Sequence, residues 1–132
     1  MKRQNLSGGA PWEKRFGYSR AVSVGDLIYV AGTTATDDQG AIVGEGDAAA
    51  QARQALRNIA KALERAGSRL EDVVRTRIYL TDIADAEAVG LVHGDVFGAI
   101  RPASTMVEVR RLIDERMRVE IEADAVVISS AL

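Results

Sequence analysis

Glu120 and Glu122 stand two residues apart in the run RVEIEADAVV, and period-two alternation on a strand puts both carboxylates on one face. A partly buried carboxylate there can carry a raised pKa and take a proton as general base, and a second beside it drives the two titrations apart. Arg118 and Asp124 share that face, while Val119, Ile121, Ala123, Ala125 and Val127 share the other. The charged face reads either as a solvated surface or as carboxylates lining a cleft between copies of the chain. His93, the single histidine, suits proton transfer near neutrality, although a lone helix histidine also serves at surfaces and interfaces. Tyr18 offers a phenolic hydroxyl to a substrate or water, or a ring for packing. Gly32 closes a strand-like run, where a backbone N–H can meet a ligand oxygen and where a turn would also want glycine.

The elements that position these residues are legible in the pattern. Tyr18 to Val24 can form a first strand, closed by Gly25-Asp26, and Leu27 to Ala31 (LIYVA) reads as a buried strand ended by Gly32. Asp47 to Ala66 is the clearest helix, with Ala52, Leu56, Ile59, Leu63 and Ala66 on one face, Asp47 as N-cap and Gly67 as its stop. Gln51, Arg53, Arg57, Lys61 and Glu64 lie off that stripe, as a solvated face requires. Ser68 with Glu71 makes a capping-box-like turn before a strand at Val73 to Leu80. A second helix follows from about Asp85 to Ala99, capped by Asp82 or Asp85 and packing Val89, Val92, Val96 and Ile100. Pro102 forces residue 101 out of helical geometry and opens a final strand pair, Thr105 to Val109 and Met117 to Val127. The order is β-β-α-β-α-β-β, an α+β sandwich, and residues 1–132 read as a single domain whose first 14 residues are a surface lead-in.

Composition narrows the function. A chain of 132 residues with 47% apolar and 27% charged residues is an ordinary globular protein. A net charge of −2, scattered Lys and Arg, and 5% aromatics give neither a phosphate-binding stripe nor a base-stacking platform, so no nucleic-acid partner is expected. There is no cysteine, and one histidine cannot make a multi-histidine metal site within a subunit, so neither metal nor cofactor is expected. Gly44-Glu45-Gly46 is only a fragment of a phosphate-loop pattern. The N-terminus lacks the apolar stretch of a signal peptide and no apolar run is long enough to span a membrane, which makes a soluble cytoplasmic protein the default expectation.

The stretch RPASTMVEVRRLIDERMRVEIEADAVV at 101–127 resembles the C-terminal signature of the RidA/YjgF (L-PSP) family, small proteins that deaminate imines and enamines. Gly17-Tyr18-Ser19, VAGTTA at 30–35, QARQALRNIAKALERAG at 51–67 and EDVVRTRIYLTDIAD at 71–85 follow the family in order, so the resemblance covers roughly residues 16–128. It implies a chorismate-mutase-like fold, with a mixed six-stranded sheet and two helices on one face. It further implies a homotrimer with small-molecule clefts between neighbouring subunits. Tyr18, Gly32, Ser104, Thr105, Met106 and Glu120 fall on cleft positions, with Glu120, Tyr18 and His93 in the catalytic roles. His93 stands where an aromatic residue is often found, one helical turn from Gly90, which takes the place of a frequent asparagine.

One residue departs from the pattern. The family's usual run is proline, alanine, arginine, serine, and its arginine grips the substrate carboxylate; here it is Pro102, Ala103, Ser104, Thr105. A serine hydroxyl donates one neutral hydrogen bond and cannot replace the charge. Arg110 lies about 20 Å along the strand, too far to substitute, which leaves Arg101 and Arg77 as candidates for that role. Two functions follow from the resemblance. One is a hydrolase for a reactive enamine or imine that is not the usual 2-imino acid, and the other is a non-catalytic trimer binding a small metabolite in the same clefts.

Overall fold

Six strands make one mixed sheet: β1 (Arg3–Leu6), β2 (Ala21–Val24), β3 (Leu27–Thr33), β4 (Val73–Leu80), β5 (Ala103–Glu108) and β6 (Val119–Val126). Their spatial order is β1-β2-β3-β6-β4-β5; only β4 and β5 run parallel. This computed structural model describes residues 1–128, and residues 129–132, the end of the expected domain, lie outside the described residues. Helix α1 spans Pro11–Phe16, α2 Ala48–Arg65 and α3 Ala86–Phe97.

Alternation decides which side of the sheet is covered. In β6, Val119, Ile121, Ala123 and Ala125 are buried, and they face Leu80, Ile78, Thr76 and Val73 of β4 in register. All of these but Thr76 join Leu56, Ile59 and Leu63 of α2 and Val89, Val92 and Phe97 of α3 in one hydrophobic core. Truncating a residue as fully buried as Leu63 or Ile59 to Ala would cost about 2–5 kcal/mol. Helix α2 starts where Asp47 Oδ1 accepts from the Ala50 N–H at 3.0 Å, and it stops before Gly67, whose φ of +80° favours glycine.

The structure departs from the sequence reading at five places. The lead-in is largely exposed, yet it contains β1 and most of α1. The Glu13 carboxylate is buried by accepting from the backbone N–H groups of Gly8 and Ala10 at 3.0 to 3.3 Å, which fixes the turn into α1. The first central strand begins at Ala21, and Gly32 lies inside β3, beside a register shift between Val30 and Thr33, instead of ending it. Gln51 is fully buried: its Nε2 donates to the Arg116 carbonyl (2.8 Å) and its Oε1 accepts from the Arg118 N–H (2.8 Å), pinning the β5–β6 connection to α2. Ser68 bonds Asp72 (2.8 Å), not Glu71, at a 3-10 turn over Leu70–Asp72. Of the two capping candidates, Asp82 caps the approach to α3, accepting from the Ala84 N–H, and Asp85 makes no side-chain cap bond.

Candidate functional site

The face of the sheet away from α2 and α3 carries a ladder of charges. Glu120, Glu122 and Asp124 of β6 stand opposite Tyr79, Arg77 and Arg75 of β4. Tyr79 Oη donates to Glu122 Oε1 at 2.7 Å, and Arg77 Nη1 lies 3.6 Å from Glu122 and 3.2 Å from Asp124. The hydrogen bond to Glu122 raises the Tyr79 pKa above its ordinary value, with burial and the Glu122 charge adding to it. Glu122 and Asp124 are thus held by cross-strand partners.

Glu120 is not held in this way. Among the described residues its carboxyl has no hydrogen-bond or ion-pair partner, and it lies over Gly32, where a Cβ would come within 2.7 Å of Oε2. Burial raises its pKa above the usual glutamate value, the Glu122 charge raises it further, and Arg20 opposes both. Arg20 is itself fixed by donating from Nη2 to the Gly32 carbonyl at 2.8 Å. A half-buried carboxyl with a raised pKa and free oxygens can accept a proton from water.

The opposite face holds a second polar group. Ser104 of β5 and Thr76 of β4 are direct neighbours in the parallel ladder, and Thr76 Oγ1 lies 2.8 Å from Ser104 Oγ. The same Thr76 oxygen lies 2.8 Å from His93 Nε2 on α3. Thr76 is fully buried, His93 is half-buried with its ring 4.7 Å from that of Phe97, and Ser104 is exposed. Burial lowers the His93 pKa, favouring neutral imidazole. Met106 points to the same side and packs on the core, and the space over Gly90 is open.

The site residues read from the sequence therefore fall into two sets on opposite faces. Because Thr76 pairs with Ala123 and Tyr79 with Glu120 in unbroken register, Ser104, Met106 and His93 lie on the helix side and Glu120 on the open side. Thr105 stands opposite Arg77 and shares the open face. Tyr18 is exposed and lines a depression of about 420 Å³ with Tyr29, Glu122 and Asp124. Neither candidate arginine is bonded to Ser104. Arg77, one of the two candidates, points to the other face and is engaged by two carboxylates, so within one chain it does not stand beside Ser104. Arg101 is exposed in the left-handed region at φ 55°, where Pro102 and the end of α3 put it. Sequence reasoning missed Thr76, Tyr79 and Arg20; for Thr76 the available signal was a lone hydroxyl at an inward position of VVRTRIYL. No cluster of metal-ligating side chains occurs among the described residues, and no helix there is long and apolar enough to cross a membrane.

A six-stranded mixed sheet with its long helices on one face and a carboxylate ladder on the other defines the chorismate-mutase-like α+β class seen in YjgF proteins. The chain belongs to the Endoribonuclease L-PSP family, whose model matches residues 10–127, the same family that its sequence resembles as RidA/YjgF. Its fold is similar to that of Rv2704 from Mycobacterium tuberculosis, a YjgF/YER057c/UK114 family member, with TM-score 0.86 and 52% identity over 96% of this chain and 100% of that one. The uncharacterised protein SCO2049 of Streptomyces coelicolor is 38% identical over 122 residues, covering 92% of this chain and 90% of its own. The 2-iminobutanoate/2-iminopropanoate deaminase of Salmonella typhimurium is 35% identical over 112 residues, covering 83% and 86%. The family thus includes imine deaminases.

Proposed function

We propose that this protein is a cytoplasmic homotrimer that hydrolyses a reactive enamine or imine in clefts between subunits, acting on substrates other than the usual 2-imino acids. The observation that carries the reading is Glu120: a half-buried carboxyl, free of partners among the described residues, with a raised pKa. Glu120 takes a proton from water as the oxygen adds to the C=N carbon; the nitrogen then leaves as ammonia and a carbonyl remains. Tyr18 and the Gly32 backbone orient water and substrate, Thr105 and Met106 shape the cleft, and His93 moves protons. Arg77 pairs with Glu122 and Asp124 and holds those carboxylates in place.

A geometric need supports a cleft shared between subunits. Ser104 and Glu120 lie on opposite faces of one sheet, so a cleft that contains both takes them from two chains. Leu27, Tyr29 and Val107 are exposed on the open face, apolar surface that a neighbouring copy would cover. Ser104 sets the substrate class. A charge-assisted arginine–carboxylate contact contributes roughly 1.5–3 kcal/mol, so its loss weakens binding of an anionic substrate by about ten- to a hundredfold. The family's name, Endoribonuclease L-PSP, points to RNA, but a net charge of −2 and 5% aromatics favour a small metabolite.

Ammonia release from freshly generated imines tests the reading, with wild type compared with Glu120→Ala. Activity that falls by about a hundredfold in the variant supports Glu120 as base. Equal activity in both removes it from that role, and no release above buffer from any imine leaves a trimer that binds without turnover. A stable monomer in sedimentation at micromolar concentration would remove the shared cleft.

A further inference from the structure

Thr76 is a buried hydroxyl with a polar partner on each side. Its oxygen lies 2.8 Å from Ser104 Oγ, which is exposed, and 2.8 Å from His93 Nε2, which is half-buried. A threonine hydroxyl has one hydrogen. If that hydrogen points to Ser104, Oγ1 must accept from an Nε2–H; if it points to Nε2, Ser104 must donate to Oγ1. The orientation of one end therefore dictates the protonation of the other, across two hydrogen bonds on the helix side of the sheet.

We propose that Ser104, Thr76 and His93 form a proton relay, with Thr76 as the positioning residue that couples His93 to a group bound at Ser104. The proposal rests on the deaminase reading for its substrate, and deepens it. In one passage Ser104 gives its hydroxyl hydrogen to the imine nitrogen and takes that of Thr76. Thr76 in turn takes the Nε2 hydrogen of protonated His93. The imine becomes an iminium, a better acceptor for water, and His93 ends neutral with its hydrogen on Nδ1. Charge and hydrogens balance, and His93 regains its proton from solvent between turnovers. The relay gives Ser104 a use that an arginine could not share, since a guanidinium keeps its protons in the physiological range. It also fits a substrate held through an uncharged nitrogen or oxygen, because Ser104 can present either a hydrogen or a lone pair. Burial lowers the His93 pKa, which makes its protonated form the readier donor.

The single histidine makes the relay directly observable, since the imidazole 15N signals belong to one residue. Ser104→Ala, a change that leaves the Thr76–His93 bond in place, frees the Thr76 hydrogen to turn to Nε2. It should therefore shift the His93 tautomer populations, which a Thr76 hydroxyl not coupled to Ser104 would leave where they are. Thr76→Val should lower kcat/KM for ammonia release by about tenfold or more, and Thr76→Ser, which keeps the hydroxyl, should hold it within about threefold. Unmoved His93 signals in Ser104→Ala, or a folded Thr76→Val enzyme within about twofold of wild type, would overturn the relay. Absence of ammonia release in wild type would instead overturn the deaminase reading, and the relay would then stand or fall on the His93 signals alone.

Discussion

The Glu120 carboxyl occupies the space that a side chain on Gly32 would need, with Oε2 at 2.7 Å and Cδ at 2.9 Å from the position of a Cβ there. Gly32 does not have the positive φ that would by itself demand glycine, so its absence of a side chain serves Glu120. Gly32→Ala should therefore leave the backbone intact and swing the carboxyl aside. We expect a stability cost of about 1 kcal/mol or less by denaturant melts, since the obstructing group is the end of a flexible side chain. Ammonia release should fall by about tenfold or more, because a base displaced by even an ångström loses its aim.

The pH dependence of activity follows from the same carboxyl. Burial first, and the Glu122 charge second, raise its pKa, so in the window between the ordinary glutamate value and the raised one the folded chain binds a proton that the unfolded chain releases. Stability from this group therefore grows as pH falls through the window. Activity has the opposite sign, because the base is the ionised form. The acid limb of kcat/KM should sit above the usual glutamate range, and Glu122→Gln should move it down. A limb at the ordinary value that ignores Glu122→Gln would assign the base elsewhere. Glu120→Gln, with no charge to desolvate, should melt higher than wild type at neutral pH.

Tyr79 reports on the ladder independently of turnover. Its hydrogen bond to Glu122 disappears when the phenol ionises, which is why its pKa lies above the ordinary tyrosine value. The phenolate absorbance lost between wild type and Tyr79→Phe should titrate above that value, and Glu122→Gln should bring it back down. No change in Glu122→Gln would mean that the two side chains are not bonded in solution.

The fold was legible wherever local pattern and tertiary burial agree. Val73–Leu80 matches its expected bounds because β-branched residues alternate through it, and α2 is placed within a residue at either end by Asp47, Gly67 and the apolar stripe between them. The lead-in strand Arg3–Leu6 has no such pattern, since only Leu6 is buried and backbone pairing with β2 holds the rest. Gln51 was misplaced for a related reason: the groups that bury it, at Arg116 and Arg118, lie some 65 residues away and leave no trace in helix periodicity. In the site, alternation along β6 put Glu120, Glu122 and Asp124 on one face, and the family resemblance singled out Glu120 among them. The link from Ser104 through Thr76 to His93 was not visible, because it depends on the parallel register of β4 and β5 and on the packing of α3.

If Ser104 sets the substrate class, a ratio of two substrates shows it. Measure kcat/KM for anionic 2-iminobutyrate and for an uncharged imine of similar size, in wild type and in Ser104→Arg. Comparing the two substrates within each protein cancels any general loss from the substitution. Wild type should favour the uncharged imine, and the anion-to-neutral ratio should rise by about ten- to a hundredfold in Ser104→Arg. A wild type that already favours 2-iminobutyrate, with a ratio unmoved in Ser104→Arg, would contradict it.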